Sequence, residues 1–192
     1  MISVDLEMSG IYPAENGIWQ IGAYDLESKK EFLDECRIDD EDKIEKGALI
    51  VTGKTEKELR DQNKQSQKEL LEKFFKWVED KKIKNMLCQN CLDYAFLIVK
   101  ARKYGLKVSF HYRMFDLHSI AQLRYYQKNG KFSIDKDHSN MNLKSILEFC
   151  GLKDDRIQME GGKVVQEGKP HNALEDAKLN AKCFKVLIGD KK

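Results

Sequence analysis

Proline is scarce in this chain, with 2 among 192 residues. Set beside 41% hydrophobic and 34% charged residues, that scarcity excludes a disordered polymer and describes a globular protein with a well-solvated surface. Long apolar runs are missing as well. No stretch approaches the ~20 residues of a membrane span, and no charged-then-apolar leader opens the chain. Cysteine is sparse and unpatterned. Cys36, Cys88, Cys91, Cys150 and Cys183 are an odd number without framework spacing, which reads as reduced thiols in a cytoplasmic protein. Cys88-x-x-Cys91 has no second pair and no neighbouring histidines, so neither structural zinc nor a thioredoxin-like centre is expected. An excess of one charge is absent too: 34 Lys+Arg face 32 Asp+Glu, a net of +2. So small a sum neither demands nor excludes a polyanionic partner, because an acidic cleft ringed by lysines would hide in it. There is no internal repeat, and the length suits one domain over residues 1–192.

What is present begins at the first strand, Ile2-Ser3-Val4-Asp5-Leu6-Glu7-Met8. Alternation puts Ile2, Val4 and Leu6 on one face and Ser3, Asp5 and Glu7 on the other. Two carboxylates on one face can hold a hard cation between them, and magnesium and manganese take oxygen ligands. An amphipathic strand with its polar side in water shows the same alternation. The pair therefore needs further acids and a base elsewhere.

The coarse pattern supplies them. Ile18 to Tyr24 and Lys30 to Ile38 read as strands forming an antiparallel meander on the first. Asp39 to Asp42 reads as a helix N-terminus, where negative charge suits the dipole. Ala48 to Gly53 closes a short helix. Thr55 with Glu58 and Ser66 with Glu69 are capping boxes. The second opens a helix whose Leu70, Leu71, Phe74, Phe75, Trp77 and Val78 form a core stripe rather than a base-stacking platform. Ile83 to Cys88 reads as a fourth strand, with a turn at Gln89 to Leu92 and a helix from Asp93 to Tyr104. That places Asp93 near a strand end, where α/β sheets bind ligands, although a helix cap would also explain it. Val108 to Phe115 reads as a fifth strand, then Asp116 to Gln127 as a helix. Lys131 to Asn140, with Asp135, Asp137 and His138, reads as a solvated loop. Leu143 to Cys150 is a helix, and Leu152 to Pro170 a hairpin or flap. The last helix runs from about His171 to Ile188, with Ala173, Ala177, Ala181 and Phe184 on one face. Asp176 lies beside those alanines, on the side expected to be buried, and a buried carboxylate needs a partner such as a metal.

Asp5, Glu7, Asp93 and Asp176 around one cleft would repel one another without cations. Two divalent ions relieve that and form a phosphodiester-cleaving site. His171, five residues before Asp176, is a suitable base, with activity expected to fall roughly below pH 6–7.

These stretches resemble the DEDDh 3′→5′ exonucleases. Asp5-Leu6-Glu7-Met8-Ser9-Gly10 is similar to their first motif, Asn90 with Asp93 to Leu97 to the second, and His171-x-Ala173-x-x-Asp176 to the third. The second motif departs from the family, since Gln89 stands where His is usual and only Cys91 and Leu92 separate Asn90 from Asp93. The resemblance implies a ribonuclease H-like α/β fold: a mixed five-stranded sheet, antiparallel over its first three strands and then parallel, flanked by helices. It implies two Mg2+ or Mn2+ ions. Asp5, Glu7 and Asp176 would hold the first, and Asp5 would bridge to the second with Asp93. His171 would deprotonate the attacking water, and Met8, Ser9 and Asn90 would line the terminal-nucleotide pocket. The implied substrate is the 3′ end of single-stranded RNA or DNA. Phe110 to Asp116 resembles the oligoribonuclease branch and leans the expectation towards short RNA. A homodimer stays open. So does a catalytically impaired module that binds nucleic-acid ends or a partner protein.

Overall fold

The computed structural model describes residues 1–160 and 163–189, with backbone only at Met159 and Glu160. Gly161 and Gly162, within the predicted flap, and Asp190 to Lys192 lie outside the described residues. Strands β1 (Ile2–Met8), β2 (Ile18–Asp25) and β3 (Glu31–Glu35) form the antiparallel meander. Helices α1 (Lys46–Thr52), α2 (Glu56–Leu59) and α3 (Gln67–Glu79) follow. Both capping boxes form, at Thr55/Glu58 and Ser66/Glu69. Next come β4 (Met86–Cys88), α4 (Cys91–Lys103), β5 (Phe115–Asp116) and α5 (Leu117–Asn129). The chain continues through β6 (Ile134–Asp135), β7 (His138–Ser139), α6 (Leu143–Phe149), β8 (Gln158–Glu160), β9 (Lys163–Gln166) and α7 (Ala173–Ile188).

The main sheet has the order β3-β2-β1-β4-β5, with β1–β4 and β4–β5 parallel. This is the mixed sheet expected from the motifs. Ile2, Val4 and Leu6 point into a core shared with Phe74, Phe75, Phe96 and Leu97 of α3 and α4. Leu87, pointing the other way, meets Leu117, Ile146, Cys183 and Phe184 of α5, α6 and α7. Helices thus cover both faces, and the polar side of β1 faces α7 rather than water.

Several local expectations change; the third strand ends at Glu35 rather than Ile38, and α4 begins at Cys91 rather than Asp93. The fifth strand shrinks to Phe115–Asp116, because Val108 to Met114 packs against the α3/α4 core by side chain without joining the ladder. The fourth begins at Met86 rather than Ile83. No helix opens at Asp39 to Asp42. Instead Asp42 is buried in an ion pair with Lys100 of α4, Nζ to Oδ1 2.8 Å, so the acids tie a loop to a helix. The Lys131 to Asn140 segment is a small hairpin, with Asp135 paired to His138, not an unstructured loop. The Leu152 to Pro170 segment takes the hairpin alternative as β8–β9.

Candidate active site

Glycine at position 22 explains why α7 begins where it does. Gly22 pairs with Asp5 across the β1–β2 ladder. A Cβ there would lie 2.0 Å from the carbonyl carbon of Ala173. The bare backbone lets the first turn of α7 sit directly on the sheet. Gln20, paired with Glu7, fixes the contact: its Oε1 accepts the Ala173 amide at 2.8 Å. Asn172 caps the helix by accepting from the Leu174 and Glu175 amides. One turn in, Asp176 therefore stands over Asp5 and Glu7.

Asp93 arrives from the other edge of β1. The parallel ladder with β4 pairs only Ile2 with Met86 and Ser3 with Leu87, so the later amides of β1 on that side need other partners. Asp93, in the first turn of α4, accepts the Leu6 amide on Oδ1 at 3.1 Å. The helix cap itself is Asn90, whose Oδ1 accepts the Leu92 amide at 2.7 Å.

A cavity of about 220 Å3 joins these groups and is lined by Asp5, Glu7, Met8, Asn90, Asp93, Arg156, His171 and Asp176. Ligand atoms of Glu7, His171 and Asp176 all lie within 4.8 Å of one another. Asp5 and Asp93 line the cavity but are not in that close trio. A second cavity of about 440 Å3 shares Leu6, Glu7 and Met8 and extends under Ile11, Ala48 and Val51. Ser9 lines neither. It is fully buried, its hydroxyl donating to the Lys43 carbonyl at 2.6 Å and accepting from the Gly17 amide at 2.8 Å. These bonds tie the loop after β1, so the Ser9 hydroxyl is engaged by backbone groups rather than turned to either cavity.

The electrostatics are those of a crowded anionic pocket. Burial pushes the Glu7 carboxyl up to about 8, with Asp176 and Asp93 adding repulsion. Burial likewise raises Asp93 to about 7 against the lowering effect of the Leu6 amide. Asp5 is held well above the usual carboxylate range by burial and by Asp93, Asp176 and Glu7. Asp176 is raised by burial, with Arg156 and His171 opposing. Glu7 Oε1 and Asp176 Oδ1 are buried with no hydrogen-bond partner. Buried carboxylate oxygens are normally satisfied, and carboxylate oxygens joined by one imidazole nitrogen suit a divalent cation. The residues present fit a metal.

His171 is oriented by the hairpin. Its Nε2 lies 2.9 Å from the Ile157 carbonyl, which can only accept, so Nε2 carries the hydrogen. In the neutral imidazole that leaves Nδ1, 3.7 Å from Asp176 Oδ2, with the free lone pair.

Sequence reasoning missed Arg156. Its guanidinium, donating through Nε and Nη2, bridges Asp154 in a two-point fork at 2.9 Å each, and Nη1 donates to Asp176 Oδ2 at 2.8 Å. The only sequence signal was an arginine next to two aspartates inside a polar segment, which reads as solvated. The Cys88/Cys91 alternative gains nothing: Cys88 is buried, Cys91 is exposed, and the one metal-competent group among the described residues contains neither. No described helix is long and apolar enough to cross a membrane.

Comparison with known proteins agrees with this geometry. A family model for the RNase T exonucleases matches residues 2–184. Among solved structures, cell-death related nuclease 4 (CRN-4) superposes with a TM-score of 0.69 at 15% identity, over 98% of this chain and 63% of that one. The nuclease domain of 3′hExo, a DEDDh family member bound to rAMP, gives 0.67 at 18% identity, over 98% and 91%. The zinc-bound complex of E. coli ExoI with single-stranded DNA gives 0.72 at 15% identity, over 100% and 40%. This chain thus spans less than two thirds of CRN-4 and of ExoI, and at such identities the likeness speaks to the fold. A comparison with curated proteins gives no match. The acids of all three motifs line one cavity, and with a family model matched over nearly its whole length the chain belongs to the RNase T family of exonucleases.

Proposed function

We propose that this chain, acting as a single exonuclease domain, is a metal-dependent 3′→5′ exonuclease that releases nucleoside 5′-monophosphates from single-stranded RNA or DNA ends. The observation that carries the reading is the meeting of Glu7, His171 and Asp176 within 4.8 Å, with two buried carboxylate oxygens left unpartnered. Asp5, Glu7, Asp93 and Asp176 would hold two Mg2+ or Mn2+ ions. Such ions, when bound, activate a water and stabilise charge on the leaving oxygen. His171 accepts the proton of the attacking water on Nδ1, the nitrogen left free by the Ile157 carbonyl. The Ile157 carbonyl then holds the resulting imidazolium in place, and Asp176 stabilises its charge. Met8 and Asn90 border the chemistry, and the larger cavity beyond Met8 offers an apolar floor, Ile11, Ala48 and Val51, for the terminal nucleoside. Two adjoining cavities of about 220 and 440 Å3 suit unpaired ends, whose bases are free to stack. Short RNA is the preferred polymer, in keeping with the oligoribonuclease-like Phe110 to Asp116 stretch.

A second reading, an impaired module that holds ends without cutting, is favoured by one observation: Arg156 already occupies Asp176 Oδ2. One gel separates the two. Labelled short RNA, long RNA and single-stranded DNA are each incubated with Mn2+, Mg2+ or chelator. Stepwise, chelator-sensitive shortening supports the nuclease, and intact substrate in every lane supports the module.

A further inference from the structure

Arg156 is 8% exposed and points into the acidic cavity. Its position is set independently of the cluster, because Asp154 takes Nε and Nη2 in a planar fork, the geometry that arginine and carboxylate match best. Asp154 balances the guanidinium charge only in part, since the remaining nitrogen, Nη1, bonds Asp176 Oδ2. Burying a carboxylate without a counter-ion is costly, and in this cluster Arg156 is the one guanidinium within hydrogen-bond reach of Asp176 among the described residues. Yet the same carboxylate belongs to the Glu7–His171–Asp176 trio, with Oδ2 3.7 Å from His171 Nδ1 and Oδ1 unpartnered.

We propose that Arg156 is a built-in counter-ion that competes with the divalent cation for Asp176, so that it sets the metal affinity of this site. The inference rests on the metal-dependent reading above. In the ion-free protein Arg156 neutralises Asp176 and keeps the carboxylates together. A divalent ion bound in the cluster would draw on the same Asp176 carboxylate, whose Oδ1 is unpartnered and whose Oδ2 holds Nη1, so the Nη1 bond would weaken while Asp154 retains the rest of the guanidinium. Removing the positive charge leaves the cluster more negative and removes the competitor, so the ion binds more tightly.

The test titrates Mn2+ alone into the chelator-treated protein by calorimetry, for wild type, Arg156→Gln and Arg156→Lys. Arg156→Gln is expected to bind Mn2+ roughly tenfold more tightly, similar in size but opposite in sign to the loss of a group that supports a metal ligand, because here the group removed is a cation. Arg156→Lys, which keeps the charge, stays nearer the wild-type value. Because Arg156→Gln could unfold the ion-free protein, the wild type is also followed by 15N NMR of its arginine side chains with saturating diamagnetic Mg2+. The Nη1 protons of Arg156 should lose protection from exchange while Nε–H keeps it. Wild-type binding with equal or weaker affinity in folded Arg156→Gln, or an Nη1 still protected in Mg2+, overturns the competition and leaves the nuclease reading standing. No Mn2+ uptake by any of the three proteins overturns both.

Discussion

The Leu6 amide donates to Asp93 Oδ1 at 3.1 Å, joining the middle of β1 to the first turn of α4 across 87 residues of chain. One side chain thus completes a strand edge and presents a carboxylate to the cavity. The two duties are separable. Asp93→Asn keeps an acceptor for Leu6 but removes the charge, so it should fold with a melting midpoint at or above wild type and lose about a hundredfold in cleavage rate, since outer-shell groups alone cost 10–100-fold. Melting and gel kinetics on the same preparation check this. Wild-type cleavage by Asp93→Asn would reduce Asp93 to the Leu6 acceptor.

Removing a carboxylate from β1 should act in opposite directions on stability and activity. Glu7→Gln abolishes like-charge repulsion in a buried site, so the ion-free protein should melt higher than wild type at pH 8. Asp5→Asn behaves similarly. Both should lose cleavage by at least about a hundredfold. A variant that melts lower and still cleaves would show that the acids are structural.

The raised carboxyls make stability depend on pH. Glu7 at about 8 and Asp93 at about 7 stay protonated in the folded protein at pH values where the unfolded chain has already released those protons. The folded state therefore binds more protons between about pH 4 and 8, and stability of the ion-free protein falls as pH rises through that window. Saturating Mn2+ should flatten the slope, because bound ions favour the ionised acids. Chemical denaturation at pH 5, 6, 7 and 8, with and without Mn2+, measures it. A rising or level ion-free curve would contradict the electrostatics.

His171 has a direction to its chemistry. His171→Ala should slow cleavage by about 10²–10⁴-fold and change the rate profile on its acid side, to which the raised Glu7 and Asp93 carboxyls also contribute, while Mn2+ uptake falls less than in Glu7→Gln. An unchanged rate and profile would exclude His171 as the base.

Gly22 carries a structural prediction with a functional consequence. In Gly22→Ala the new methyl meets the α7 backbone at 2.0 Å, where nothing flexible can yield. The expected loss is about 1–3 kcal/mol, lowering the melting midpoint by about 2–4 °C for each kcal/mol. Activity should fall beyond what the melting loss explains, because α7 carries Asp176.

How much of this was legible in the chain differs by scale. Alternation in Ile2 to Met8 already placed Asp5 and Glu7 on one face, and the capping boxes and helix-ending glycines located helix ends. These features depend on neighbours a few residues away, so a linear reading reaches them. The failures came where pairing is long-range. Val108 to Met114 looks like a strand by composition, yet no partner in the sheet accepts it. Asp39 to Asp42 looks like a helix start, yet Lys100 from a distant helix buries Asp42.

The site divides along the same line. By itself the sequence determined which carboxylates and which histidine were candidates, because motif spacing and side-chain alternation are local properties of the backbone. Only the tertiary structure decided which atoms meet. It turned Ser9 inward, brought Glu7, His171 and Asp176 into one trio, and set Arg156 against Asp176. Those outcomes follow from desolvation and close packing between segments far apart in the chain, where each buried charge or amide takes whatever partner the fold brings within reach.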